Sequence, residues 1–167
     1  METVGLYTNP TMILTGVQAE DAESVIRLLC DKAMDNGCIE PVFVQAILER
    51  EKEYPTGLPT MVPLAIPHIH DGCLRSFFSM AVLDEPVSFR CMGDPDEVIE
   101  TRLVFLFGIT DPSYQTAVLR KFSTIFQSEE ELHQMMETKE AEMCIRDSLE
   151  GTSVRLRRCA GRTQFCK

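Results

Sequence analysis

Arg102-Leu103-Val104-Phe105-Leu106-Phe107-Gly108-Ile109 is the most hydrophobic run in the chain and constrains its fold more than any other segment. A strand with one face in water alternates apolar and polar residues. This run does not, so it predicts a central strand that is apolar on both faces. Such a strand needs cover on each side.

The cover is legible as helical periodicity. A helix is expected from about Ala19 to Asp35, with Val25, Leu28, Leu29 and Ala33 on one stripe, acids Glu20, Asp21 and Glu23 near its start, and Asn36-Gly37 closing it. A second begins at Glu40-Pro41 and runs to Glu53, where Tyr54-Pro55-Thr56-Gly57 breaks it. A third follows the central strand, capped by Thr110 or Asp111 with Pro112 at its first position and Val118, Phe122, Ile125 and Phe126 at helical intervals. A fourth is expected from Ser128 to about Ala141, opening on Glu129, Glu130 and Glu131. Between them, Met12-Ile13-Leu14, Leu64-Ala65-Ile66 and Phe77 to Leu83 read as strands. Val87 to Arg90 is expected to pair with Phe77 to Leu83 across a turn at Asp84-Glu85-Pro86, and Met92 to Glu100 reads as an acidic loop. The alternation predicts a single α/β domain, a mixed β-sheet with helices packed on both faces.

The segment that points to chemistry is Pro63-Leu64-Ala65-Ile66-Pro67-His68-Ile69-His70-Asp71-Gly72. Pro67 ends the short strand, because it fixes its own φ, lacks an N–H and keeps Ile66 extended. His68 is therefore expected at a strand's end, aimed out of the sheet. Imidazole there could be a nucleophile, a general base, a metal ligand or a surface residue. Open α/β sheets gather their sites at the carboxyl ends of strands. Two further features could converge there: Arg50, near the end of the second helix, and the helix start at Asp111-Pro112, with Gln115 in its first turns. A nucleophilic nitrogen, a guanidinium and helix N–H groups suit a phosphoryl group held on histidine. No Walker loop or glycine-rich nucleotide cradle is present, so the group would come from another protein rather than from ATP.

Charge separates the chain into two parts. The formal net charge is -10, which argues against nucleic acid as a partner. Yet the segment from Cys144 to Lys167 holds six basic residues against two acidic ones, a balance of +4, together with three of the seven cysteines. Residues 142–167 are expected to be a non-native or disordered tail without strand or helix periodicity, and Glu142-Met143-Cys144-Ile145-Arg146-Asp147-Ser148 resembles a translated sequencing-library adapter. Residues 1–141 are expected to be the functional domain. Cys30, Cys38, Cys73 and Cys91 are scattered singly and read as plain thiols of a cytoplasmic protein. No run approaches the length that spans a bilayer, and Met1-Glu2-Thr3 lacks the basic start and apolar core of a signal peptide.

Taken in order, Glu49-Arg50-Glu51, Tyr54-Pro55-Thr56-Gly57, Ala65-Ile66-Pro67-His68, and Leu103 to Ile109 before a capped helix resemble the type-2 IIA domain of the bacterial phosphoenolpyruvate:sugar phosphotransferase system. The resemblance covers roughly residues 5 to 141 and is to the fructose/mannitol superfamily. It implies that His68 accepts a phosphoryl group on its tele nitrogen from the histidine phosphocarrier protein and passes it to a cysteine of a IIB component. A membrane IIC component would then deliver it to sugar. Arg50 would stabilise the phosphoryl group, and no cofactor or metal is implied. Many relatives carry a second histidine where this chain has Ser113, two residues before Gln115. That departure, with Pro86-Val87-Ser88-Phe89 leading to Met92-Gly93, is similar to the galactitol-type branch.

The competing readings are plain ones. His70 reads as an exposed neighbour in a turn and His133 as a solvated helix residue. Arg50 could pair with Glu53, Gln115 could be solvated, and Thr56 could serve either the site or the turn. Met34, Met135 and Met136 read as core filler, and the acidic runs at Asp94 to Glu97 and Glu129 to Glu131 as solvated. His68, His70 and Cys73 could ligate a metal, but the spacing fits no common pattern and lacks a fourth ligand. A regulatory IIA protein reporting its phosphorylation state to a transcription regulator is the functional alternative.

Overall fold

The computed structural model describes residues 5–137 and 155–157. Its centre is an antiparallel pair of fifteen-residue strands, β6 (Phe77–Cys91) and β7 (Asp94–Gly108), joined at Met92-Gly93. The expected central strand is the second half of β7. The expected acidic loop is instead its first half, because Gly93, at φ +88°, reverses the chain within two residues and Val98 to Glu100 pair back onto Ser88 to Arg90. Nor does Asp84-Glu85-Pro86 turn the chain. The residues stay within β6, and the register shifts between Val82 and Val87, so a bulge absorbs the proline that cannot donate to the ladder.

Side chains of the pair alternate strictly between two cores. Phe77, Ala81 and Leu83 with Val104 and Leu106 face α1 (Ala22–Asp35) and α2 (Pro41–Glu53). Phe78, Met80 and Val82 with Leu103, Phe105 and Phe107 face α3 (Gln115–Phe126) and α4 (Glu129–Glu137). Helices thus cover both faces, as the double-sided apolar run requires. On the second face Phe122 stands 4.7 Å from Phe107 and 5.3 Å from Phe78, ring centre to ring centre, within the range where aromatic edges and faces attract. α1 starts three residues later than expected, because Asp21 caps it by accepting from the Ser24 N–H at 2.8 Å. Met34 is exposed rather than core, whereas Met135 is buried and Met136 packs against the second core.

Along β6 lie β1 (Gly5–Tyr7), β2 (Ile13–Val17) and, at its far end, β3 (Gly57–Leu58). Along the other edge of β7 lie β4 (Leu64–Ala65) and β5 (His68–Ile69), both parallel to it. β3 and β4 pair with each other, so the 56–69 segment ties the end of β6 to the edge of β7. From the tail, β8 (Arg155–Arg157) pairs parallel with β1, so these three residues form a strand where none was expected. The remainder of residues 142–167 lies outside the described residues, as do residues 138–141 of the expected fourth helix.

Candidate functional site

His68 is not at the end of a strand pointing outward. Pro67 interrupts pairing for only one residue, and His68 opens a new strand, β5, in register with Phe107. Two bonds bracket it: the Phe107 N–H donates to the Pro67 carbonyl at 3.0 Å and the Ile109 N–H to the Ile69 carbonyl at 3.3 Å. The proline therefore ends β4 and shifts the chain onto the last residues of β7, where the sheet meets the start of α3. His68 is 7% exposed.

The ring is oriented by one close contact. Nδ1 lies 2.6 Å from the Ile66 carbonyl oxygen, which can only accept, so Nδ1 carries the hydrogen. A neutral imidazole protonated there has its lone pair on Nε2. Burial, reinforced by the positive charge of Arg50 and opposed by the Ile66 bond, holds the imidazole below its ordinary pKa. The ring is thus neutral near pH 7 with Nε2 as its nucleophilic atom.

Arg50 and Gln115 line one hollow. With Tyr54, Ile69, His70 and Asp71 they line a depression of about 290 Å³ between α2 and the start of α3. The Arg50 guanidinium stands 5.2 Å from the centre of the Tyr54 ring. His68 lies buried beside this depression rather than in its lining, within reach of Arg50's field. The loop it begins supplies the wall: Ile69, then His70, whose Nε2 is 3.1 Å from an Asp71 carboxylate oxygen. His70 is half-exposed and faces the same hollow as Arg50 and Gln115, closer to the site than an incidental turn residue. His133 is a surface residue 3.5 Å from Glu129.

One expected element is altered. The N–H groups just after Asp111-Pro112 are already engaged: Ser113 N donates to the Asp111 carboxylate at 2.9 Å, Tyr114 N to the Asp111 carbonyl at 3.0 Å, and Gln115 N to the Pro112 carbonyl. Asp111 and a short 3₁₀ turn, Pro112–Tyr114, precede α3 and occupy the N–H groups of Ser113, Tyr114 and Gln115. Gln115 itself lines the hollow.

Sequence reasoning passed over Glu51 and the role of Thr56. The Glu51 carboxylate accepts from the Thr56 N–H at 3.0 Å and the Thr56 hydroxyl at 2.8 Å. Burial outweighs these bonds and the charge of Arg50, pushing the carboxyl up to about 7. The available signal was a carboxylate in the last turn of a helix, where the dipole opposes it. No group of histidine, cysteine and acidic residues able to hold a metal occurs among the described residues, and no helix there is long and apolar enough to cross a membrane.

An edge histidine with a fixed tautomer, near a guanidinium and an amide, could hold a transferred group on nitrogen. Residues 7–146 match the family described as the phosphoenolpyruvate-dependent sugar phosphotransferase system, EIIA 2. The chain belongs to that family. As an EIIA type-2 domain it shares its fold with the mannitol IIA of Escherichia coli, at 24% identity and a TM-score of 0.70 over 83% of this chain and 96% of that one. The solution complex of mannitol IIA with phosphorylated mannitol IIB from Escherichia coli gives 24% and 0.71 over 87% and 99%. The nitrogen regulatory protein IIA-Ntr of Neisseria meningitidis gives 20% and 0.68 over 82% and 92%. No curated protein sequence matches the chain.

Proposed function

We propose that this EIIA type-2 domain is a phosphocarrier that takes a phosphoryl group onto Nε2 of His68 and passes it to a cysteine of a IIB component. The observation that carries the reading is the 2.6 Å contact of Nδ1 with the Ile66 carbonyl, which leaves Nε2 as the lone-pair nitrogen of a neutral ring. In the forward step Nε2 attacks phosphorus in line with the departing phosphohistidine nitrogen of the histidine phosphocarrier protein. The P–N bond of the donor breaks as the new one forms. The reverse geometry releases the group to a thiolate. Such transfer demands little of the protein beyond alignment and charge stabilisation. Arg50 supplies the positive charge for the equatorial oxygens and Gln115 a neutral hydrogen bond. Near-complete burial of His68 restricts water at the phosphoramidate.

That mannitol IIA has been seen in complex with phosphorylated mannitol IIB supports a IIB acceptor here. We assign the chain to sugar uptake in the cytoplasm, with a membrane IIC component downstream, and to the galactitol-type branch on the motifs Ser113-Tyr114-Gln115 and Pro86-Val87-Ser88-Phe89. We place the functional domain at residues 1–141 and take residues 142–167 as a non-native addition, which re-sequencing of the locus tests.

The test is incubation with phosphoenolpyruvate, enzyme I and the phosphocarrier protein, followed by intact mass. The wild type should gain one phosphoryl group, and His68→Ala none. Subsequent addition of a galactitol-type IIB should discharge it. Charging without discharge to any IIB would leave the regulatory reading, which shares the histidine chemistry and differs in the acceptor.

A further inference from the structure

Hydrogen bonds run without a gap from α2 to the reactive ring. Both Glu51 carboxylate oxygens are taken by Thr56, which is buried. The Thr56 carbonyl accepts the Ile66 N–H at 3.2 Å. The Ile66 carbonyl, on the other side of the same residue, is the one that takes His68 Nδ1 at 2.6 Å. The path thus crosses from a helix to the sheet and ends on the nitrogen that decides which face of the imidazole is nucleophilic.

We infer that Glu51 is a positioning residue for phosphoryl transfer, which fixes the His68 tautomer and its placement against Arg50 by clasping Thr56. The inference rests on His68 being the phosphoryl acceptor. Three observations carry it beyond a chain of contacts. First, Arg50 and Glu51 are consecutive on the last turns of α2, so the clasp ties the helix end that bears the guanidinium to the strands that bear the imidazole. Second, the clasp is anchored on its far side. A Cβ on Gly57 would lie 2.5 Å from the Arg90 carbonyl oxygen, so the backbone after Thr56 is seated hard against β6 and cannot yield toward it. Third, Glu51 has no local reason to be acidic. It lies where the helix dipole disfavours a negative charge and where burial penalises one, so helix stability alone would be served better by a neutral residue. What a carboxylate offers here is two acceptors at one fixed spacing, matching an N–H and an O–H of a single residue. A glutamine has one acceptor for the Thr56 N–H and can meet the hydroxyl only by donating to it, which reverses that bond.

The experiment compares wild type, Glu51→Gln, Thr56→Val and Thr56→Ser by two readouts. The first is the nitrogen chemical shifts of the His68 ring in unphosphorylated protein, which report the Nδ1–H and Nε2–H tautomers. The second is the rate of phosphoryl acceptance against the concentration of phosphorylated phosphocarrier protein. The wild type and Thr56→Ser should hold the Nδ1–H tautomer. Glu51→Gln should show a mixture and accept the group roughly ten- to a hundredfold more slowly at saturating donor, with the donor KM unchanged. Thr56→Val, which loses one arm of the clasp, should fall between, and it decides the matter if Glu51→Gln does not fold. Wild-type tautomer and rate in a folded Glu51→Gln or Thr56→Val would overturn the inference. If wild type were not phosphorylated at His68, the carrier reading would fail while the tautomer comparison still answered whether Glu51 orients the ring.

Discussion

The α3 face of the β6–β7 pair and the β5 edge lie a few residues apart on the same strand and are built in opposite ways. The face is a cluster of aromatic rings, Phe78, Phe105, Phe107, Phe122 and Phe126, each touching at least two others. The edge is a two-residue strand after a proline, paired with β7, bonded from Phe107 and Ile109, and joined to α2 by the Glu51–Thr56–Ile66–His68 path. Stability on the face is distributed over area. On the carrier reading, the chemistry at the edge rests on a few directed contacts. The two regions should therefore separate under mutation, one losing stability and the other losing chemistry.

The largest effect should come from Phe122→Ala. Removing a ring buried against Phe78, Phe107 and Phe126 should cost about 3–5 kcal/mol by denaturant unfolding. The fraction that remains folded should still accept a phosphoryl group at the wild-type rate. Loss of specific activity in that fraction would break the separation.

Arg50→Ala should do the reverse. Phosphoryl acceptance should fall by roughly a hundredfold or more, while the unfolding midpoint moves little, if the guanidinium serves as the charge facing the transferred group, as proposed. Arg50→Lys should recover only part of the rate, since an ammonium lacks the planar fork. Equal losses of rate and stability would show that Arg50 is structural.

Glu51 sharpens the comparison through pH. Its carboxyl in the folded chain titrates at about 7, above its value in the unfolded chain. The folded state therefore holds the proton more tightly. This stabilisation is complete below the unfolded pKa and is lost as pH rises through about 7, up to about 3 kcal/mol. Stability of the wild type relative to Glu51→Gln should thus decline between pH 5 and pH 8. A flat difference would contradict the burial argument. Gln115→Ala should have the smallest effect, about tenfold on the rate of acceptance, because it removes one neutral hydrogen bond.

Much of this organisation was legible in the chain and some was not, for physical reasons. The Leu103–Ile109 run could only be a two-sided buried strand, and Val118, Phe122, Ile125 and Phe126 repeat at helical spacing, so the face and its cover could be read directly. The rule that sites gather at strand ends suggested that His68 and the start of α3 could converge, but β5 itself was not expected. The bulge around Pro86 and the tight reversal at Met92-Gly93 could not be read, because both depend on which strand lies alongside. The same is true of His68 reopening a strand: Pro67 looks like a terminator in isolation, and only the bonds from β7 show that pairing resumes. Glu51 was hidden because its partner is a threonine five residues away, across the helix end, and Thr56 was left open between the site and the turn. Thr110 and Asp111 were both read as possible caps, but that Asp111 caps a separate 3₁₀ turn ahead of α3 needed coordinates.

Phosphorus and nitrogen NMR of the phosphorylated protein tests the central claim most directly. The account predicts one phosphohistidine, on His68, with phosphorus bonded to Nε2 and hydrogen retained on Nδ1 against the Ile66 carbonyl. Phosphorus on Nδ1, or on His70 instead, would contradict it.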